Sequence, residues 1–132
     1  MPVKLAGPTI VTSKAKEALA FYAAHFDLAA NDYGAGTDST YWTLTFGKNS
    51  ELSFMEPEGG EPEFGGAGMF FYIELDDAAG VDAQHARLRA AGVDASPLKT
   101  EHFMYQSWAT DPSGLRIMIY TTTIPCPEDD GR

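Results

Sequence analysis

The feature that most constrains the fold is a pattern of segments that occurs twice along the chain. A short β-branched run at 9–12 precedes an amphipathic helical segment at 14–26, and strand-like segments follow at 28–33, 40–46 and 51–55. The same order returns as a strand at 69–75, a helix at 81–91 and strands at 93–98, 103–110 and 115–121. An offset of about 64 residues relates the two copies, as expected of an internal repeat. The pattern predicts an α+β fold made of two βαβββ modules.

Turn and cap residues divide the chain at matching places. Ser13 is the predicted N-cap of the first helix, and Gly92 is the predicted stop of the second. The segments 47–50 and 111–114 read as turns, and 56–68, with five glycines and four glutamates, reads as a linker or lid. We therefore predict one domain, 1–132, with module one at about 5–58, the linker at about 56–68, module two at about 69–122 and a short tail at 123–132.

Composition excludes several classes of protein. The formal net charge is −10, from 19 acidic and 9 basic residues, which would repel the phosphates of a nucleic acid. The only cysteine, Cys126, cannot form an intrachain disulfide, and no apolar run is long enough to span a membrane. These observations predict a cytoplasmic protein with neither nucleic acid nor membrane as its partner.

Three segments resemble one protein superfamily in order and spacing. They are 18–28 (ALAFYAAHFDL), 73–92 (IELDD followed by the helical segment) and 111–117 (DPSGLRI). In these the chain resembles the glyoxalase / bleomycin-resistance / extradiol-dioxygenase superfamily, also called vicinal oxygen chelate proteins. The resemblance covers about residues 5–122 and implies two modules whose sheets curl around a cleft, commonly in a homodimer. It does not decide activity, because metal enzymes and metal-free binding proteins share the fold.

The resemblance also indicates where the metal ligands of the enzymes would lie. The first-strand positions, which carry His or Gln in those enzymes, fall on Gly7 and Phe70. The last-strand positions, which carry Glu, fall on Ser53 and Met118. None of these four side chains is the expected ligand of a divalent ion. We therefore expect no metal and no other cofactor, with one divalent ion at a displaced site as the alternative.

Strand alternation predicts which side chains line the cleft. If Phe71, Ile73 and Leu75 pack under a helix, the residues between them face the other side, and the same parity applies to the other strands. With further aromatic candidates added, the predicted ligand-binding residues are Trp42, Ser53, Met55, Phe70, Tyr72, Glu74, His102, Tyr105, Trp108, Arg116, Met118 and Tyr120. Such an aromatic, thioether-rich surface suits a planar organic ligand, with Glu74 or Arg116 fixing its orientation.

Three functions are compatible with these residues. The leading hypothesis is a metal-free protein that binds and sequesters a small aromatic, possibly cationic molecule, without a catalytic residue. The alternative is a glyoxalase-like lyase or dioxygenase-type enzyme with a non-standard metal site, or with residues such as Glu74, His102 and Tyr105 in acid–base roles. The third is a subunit or regulatory module whose sheet serves assembly. No Ser-His-Asp or Cys-His arrangement is visible in the sequence.

Overall fold

The computed structural model describes residues 7–32, 41–47, 50–57, 62–66 and 68–123. The chain divides into two compact units, Met1–Gly65 and Gly66–Arg132, and the described residues of each form one helix and one four-stranded sheet. Neither helix in these ranges has the length and hydropathy needed to cross a membrane. Much of the predicted linker, 58–61 and 67, and the tail from 124 onward with Cys126, lie outside the described residues.

The first unit is a mixed sheet covered on one side by a helix. Its elements are β1 (Thr9–Val11), α1 (Ala15–Phe26), β2 (Asn31–Asp32), β3 (Tyr41–Phe46) and β4 (Ser50–Met55). The strand order is β1-β4-β3-β2, with β1 and β4 parallel and the other pairs antiparallel. The apolar stripe of α1 packs on the sheet: the ring of Tyr22 lies 5.9 Å from that of Phe54 and 6.1 Å from that of Phe46.

The start of α1 differs from the prediction. Lys14, not Ser13, occupies the N-cap position, and no side chain of that residue caps the helix. Instead, the amide of Ser13 donates a hydrogen bond of 2.8 Å to Oε1 of Glu63, and the amide of Lys14 donates to Oγ1 of Thr12. The bond from the Ser13 amide lowers the pKa of Glu63. A carboxylate distant in sequence therefore stabilises this end of the helix, which a local capping pattern cannot predict.

The second unit repeats the architecture of the first. Its elements are β5 (Phe70–Glu74), α2 (Ala78–Ala90), β6 (Lys99–Glu101), β7 (Met104–Thr110) and β8 (Arg116–Thr121). The strand order β5-β8-β7-β6, with β5 and β8 parallel, matches that of the first sheet. Val81 and Leu88 of α2 are fully buried, as are Ile117 and Ile119 of β8. The prediction of an α+β fold from two βαβββ modules is confirmed.

Two boundaries in the second unit correct the sequence prediction. The segment 93–98 is not a strand, and the sixth strand begins only at Lys99. The amide of Val93 returns to the carbonyl of Leu88, and Pro97 has no amide to donate to a neighbouring strand. The helix begins at Ala78 rather than Val81 because Asp77 is its N-cap, with Oδ1 accepting a hydrogen bond of 2.8 Å from the Gly80 amide.

Candidate ligand-binding face

The second sheet has one side on α2 and one side that α2 does not cover. The hydroxyl of Tyr105 donates a hydrogen bond to Asp82 of α2, which identifies the helix side of β7. Side chains alternate along a strand, so the register assigns every neighbour to a side. The uncovered side, here called the open face, carries Phe70, Tyr72, Glu74, Gln106, Trp108, Thr110, Arg116, Met118 and Tyr120.

Four aromatic rings form a continuous row on the open face, here called the aromatic ladder. The rings of Trp108 and Phe70 meet edge to face with centroids 4.9 Å apart, and Phe70 lies 5.3 Å from Tyr72. Tyr72 in turn meets Tyr120 at 5.4 Å. Phe70 and Tyr72 remain 45% and 53% exposed, which is unusual for large aromatic side chains in mutual contact. The ladder is therefore a ready surface for stacking an aromatic ligand.

The indole of Trp108 is oriented by a hydrogen bond to a buried side chain. Its indole N–H donates a hydrogen bond of 2.9 Å to Oε1 of Gln106, a residue only 3% exposed. The side-chain Nε2 of Gln106 donates a hydrogen bond of 3.2 Å to the backbone carbonyl of Glu101. Met118, which the register sets between Tyr72 and Trp108, is 1% exposed. The indole ring thus has a fixed orientation, which lowers the entropic cost of binding against it.

Opposite charges lie at the two ends of the ladder. The guanidinium of Arg116 lies over the indole of Trp108, 4.4 Å from the ring centroid, in cation–π geometry. At the other end, Glu74 pairs in register with Tyr120. Burial, followed by the negative charge of Glu74 and the proximity of Tyr72, raises the pKa of Tyr120. The open face is therefore polar at its ends and aromatic between them.

The first sheet has a corresponding uncovered side with different chemistry. Ser53 and Met55 lie there with Thr9, Tyr41 and Thr43, because α1 covers the alternate residues. The hydroxyl of Tyr41 donates to Oγ of Ser53 at 3.2 Å, and the hydroxyls of Thr43 and Ser53 are 2.7 Å apart. Hydrogen bonds from Ser53 and then Thr9 lower the pKa of Tyr41. This surface is a hydroxyl cluster, not an aromatic one.

Two predicted ligand-binding residues lie on the helix sides of their sheets, and a third lies in a turn. Trp42 pairs in register with Phe54 on the α1 side of the first sheet and is 9% exposed. Tyr105 lies on the α2 side, where burial and then its hydrogen bond to Asp82 raise its pKa to about 12. His102 lies in the turn between β6 and β7 with a φ of 56°. The parity of β3 and β7 therefore places Trp42 and Tyr105 on the side of their sheet opposite to Tyr41 and Trp108, because neighbouring residues of a strand face opposite sides.

Sequence reasoning missed two contributors to these surfaces. Gln106, which orients Trp108, shares its parity and could have been found by applying strand alternation to β7 from Trp108. Thr43, in the hydroxyl cluster, shares the parity of Tyr41 in the same way. Neither residue type suggests ligand binding by itself, and their roles become visible only through hydrogen bonds.

The residues at the family's metal positions do not fit a metal ion. Gly7 has a φ of 129°, and a Cβ there would lie 2.3 Å from the carbonyl oxygen of Glu51, so a histidine at this position would strain the backbone. Phe70, Ser53 and Met118 offer no imidazole or carboxylate. Throughout the part of the chain that the structure describes, no three His, Cys, Asp or Glu side chains are grouped to hold an ion.

Comparison with solved structures supports the fold assignment. A lactoylglutathione lyase from Agrobacterium tumefaciens is 18% identical, with coverage of 91% of this chain and 94% of its own and a TM-score of 0.68. TnmS3, an antibiotic binding protein from Streptomyces sp. CB03234, is 20% identical over 91% and 96%, with a TM-score of 0.70. A glyoxylase/bleomycin resistance protein/dioxygenase domain from Frankia sp. EAN1pec is 14% identical over 92% and 93%, with a TM-score of 0.73. No curated protein matches the sequence.

The family is decided by the sequence profile together with this fold. The profile of the Glyoxalase/Bleomycin resistance protein/Dioxygenase superfamily matches residues 4–119, which is most of the chain. The matched region contains both helices and all eight strands apart from the end of β8. The chain therefore belongs to the Glyoxalase/Bleomycin resistance protein/Dioxygenase superfamily.

Proposed function

We propose that this protein binds a small aromatic molecule on the open face of its second sheet and acts by sequestration. The observation that carries the proposal is the aromatic ladder, in which Phe70 and Tyr72 are 45% and 53% exposed while in contact with two further rings. Exposed apolar surface of this kind is costly in water and is typical of binding sites. An aromatic ligand would recover that cost by stacking.

The first sheet supports the proposal, because the same register there carries no aromatic row. Tyr72, Met118 and Trp108 form a lateral row across β5, β8 and β7. The matching row across β1, β4 and β3 consists of Thr9, Ser53 and Thr43. Both sheets have the same strand order, so the fold itself does not require exposed rings at this place. Among the described residues, exposed rings in mutual contact occur in the second unit and not in the first, which favours a role in binding.

The relatives are consistent with two classes of function. TnmS3 is described as an antibiotic binding protein, which favours sequestration. The Agrobacterium tumefaciens protein is a lactoylglutathione lyase, which keeps a glyoxalase-like enzyme as the second candidate. We favour binding because the family's metal positions here carry Gly7, Ser53, Phe70 and Met118, which are not metal ligands. A homodimer and a cytoplasmic location remain predictions from the family resemblance and the composition.

The two tryptophans of the chain provide a direct test by NMR. Trp108 lies on the open face and Trp42 on the helix side of the first sheet, so their two indole N–H resonances report different places. Titration with naphthol, a planar aromatic, is expected to move the Trp108 resonance and leave that of Trp42 nearly unchanged. Decalol, the saturated counterpart with the same ring skeleton, is expected to move neither, because it cannot stack.

Variants connect any binding to the ladder. Tyr72→Ala is expected to weaken naphthol binding about two- to tenfold, the range that one aromatic pair contributes. Phe103→Ala is the matched control, because Phe103 is 63% exposed but lies in the turn between β6 and β7. A Trp108 resonance that does not respond to naphthol, or equal losses in the two variants, would contradict the proposal.

A further inference from the structure

We propose that the aromatic ladder binds its ligand in one orientation, with an acidic group of the ligand at Arg116 and a basic group at Glu74. This inference rests on the proposed function and extends it to the ligand's class: an elongated aromatic zwitterion. The aromatic part would stack between the two charges.

The register between β5 and β8 determines the distance between the charges of Arg116 and Glu74. Arg116 pairs with Phe70 at one end of β5, and Tyr120 pairs with Glu74 at the other. Along adjacent parallel strands the two charged positions are therefore four residues apart, or roughly 13 Å at about 3.3 Å per residue. In a ligand with two linked aromatic rings and a charged group at each outer end, the two charged groups are a similar distance apart. A compact single-ring ligand would reach one charge only.

Neither charge is neutralised by another side chain among the described residues. The guanidinium of Arg116 contacts the Trp108 ring, and within the described ranges no carboxylate forms an ion pair with it. Among the described residues Glu74 likewise forms no ion pair, and its negative charge contributes to the raised pKa of Tyr120. Lys99, which pairs in register with Gln106 on the edge strand β6, forms an ion pair with Glu101 at 3.2 Å. Both charges are exposed and accessible to a ligand.

The geometry of Arg116 suits a carboxylate. Its guanidinium lies over the indole of Trp108, so one planar face is occupied by the ring. The N–H groups at the edge of the guanidinium point in the plane and can donate two parallel hydrogen bonds to a carboxylate. In a protein with a net charge of −10, an anion would otherwise be repelled, so this residue selects the acidic end.

The test uses four azobenzene probes, three trans isomers of one length and one shorter cis isomer. The first carries a carboxylate on one ring and an aminomethyl group on the other, both para to the azo bond. The second carries the carboxylate only, and the third the aminomethyl group only. The fourth is the first after illumination, because the bent cis isomer brings its charges closer together. Affinities are measured from the Trp108 indole resonance, in the dark for the trans probes.

The trans zwitterion is expected to bind most tightly, about two- to fivefold better than either singly charged probe, as exposed ion pairs allow. Arg116→Gln is expected to remove the advantage of the carboxylate, and Glu74→Gln the advantage of the ammonium group. Arg87→Gln and Asp94→Asn, exposed charge changes on α2 and in the following loop, are the matched controls. The cis isomer is expected to lose the advantage of carrying both charges.

Three outcomes would overturn the inference, and only the last would also overturn the proposed function. If all probes bind with similar affinity and neither variant changes their order, the ladder binds aromatics but does not orient them. If Glu74→Gln and Arg116→Gln change affinities no more than the two control variants do, the charges play no specific part. If no probe moves the Trp108 resonance, the proposed function fails as well.

Discussion

Single residues of β7 show how one strand serves two different structures. Trp108 and Gln106 face the uncovered side, where the indole N–H of Trp108 is bound by Gln106. Tyr105 faces α2 and donates its hydroxyl to Oδ1 of Asp82 at 2.5 Å. An aromatic residue is therefore part of the candidate site or part of the scaffold according to its parity alone.

The contact between Tyr105 and Asp82 predicts that the Tyr105 hydroxyl loses its proton at a higher pH than an ordinary tyrosine does. Burial and the neighbouring carboxylate disfavour the phenolate and raise the pKa of Tyr105 to about 12. Because the folded-state pKa lies above the unfolded value of 10.0, the stability from this group is present below pH 10 and is lost as pH rises through 12.

Ultraviolet absorbance of the phenolate measures this titration directly. The difference between the wild-type protein and Tyr105→Phe is expected to titrate near pH 12, and Asp82→Asn is expected to lower that midpoint by removing the negative charge. Tyr41→Phe is a useful comparison. The pKa of Tyr41 is lowered, so its difference curve is expected at a lower pH than that of Tyr105. A difference curve for Tyr105 centred at pH 10 would contradict the structure.

At the scale of elements, the turn between β7 and β8 determines the register on which the ladder depends. Asp111 is 3% exposed, and its Oδ1 accepts hydrogen bonds from the amides of Ser113 and Leu115 at 2.8 and 3.1 Å. The amide of Asp111 also donates to the carbonyl of Leu115 at 2.9 Å. The turn therefore fixes the register between β7 and β8, in which Trp108 pairs with Met118. Without it, the two strands could pair in a shifted register.

Removing the side-chain acceptor of this turn is expected to destabilise the protein. Asp111→Ala removes the acceptor of the buried Leu115 amide and of the partly buried Ser113 amide, and should lower the free energy of unfolding by about 2–3 kcal/mol. Asp111→Asn retains a carbonyl oxygen in the same place and should cost less than half as much. Urea unfolding measures both, and equal losses in the two variants would show that the charge rather than the acceptor geometry matters.

At the scale of the whole molecule, the residues at the family's metal positions predict that divalent ions do not stabilise this protein. A ligand that binds only the folded state at one hundred times its dissociation constant adds about 2.7 kcal/mol of stability. We expect no such gain from nickel, zinc, iron or manganese, because Gly7, Ser53, Phe70 and Met118 supply none of the imidazole and carboxylate ligands of such a site. The measurement is the melting temperature of chelator-treated protein before and after each ion is added. A rise of several degrees together with one bound ion per chain would contradict it.

Local periodicity was sufficient for much of this architecture. Helical spacing and strand alternation depend on near neighbours, so the sequence alone predicts both helices, most strands and the repeated βαβββ order. The same alternation predicts Phe70, Tyr72, Glu74, Arg116, Met118 and Tyr120 on one side of a sheet, where the register places them. The assignment of the chain to its family also follows from residues 4–119.

Only the tertiary structure decided which side chains meet. Trp42 and Tyr41 are neighbours, and the pairing of Trp42 with Phe54 is what assigns the tryptophan to the core side. Tyr105 is held by Asp82 of α2, and Trp108 by Gln106, through contacts that no periodicity encodes. The physical reason is that alternation fixes sidedness within a strand, whereas register and hydrogen-bond partners depend on residues distant in sequence.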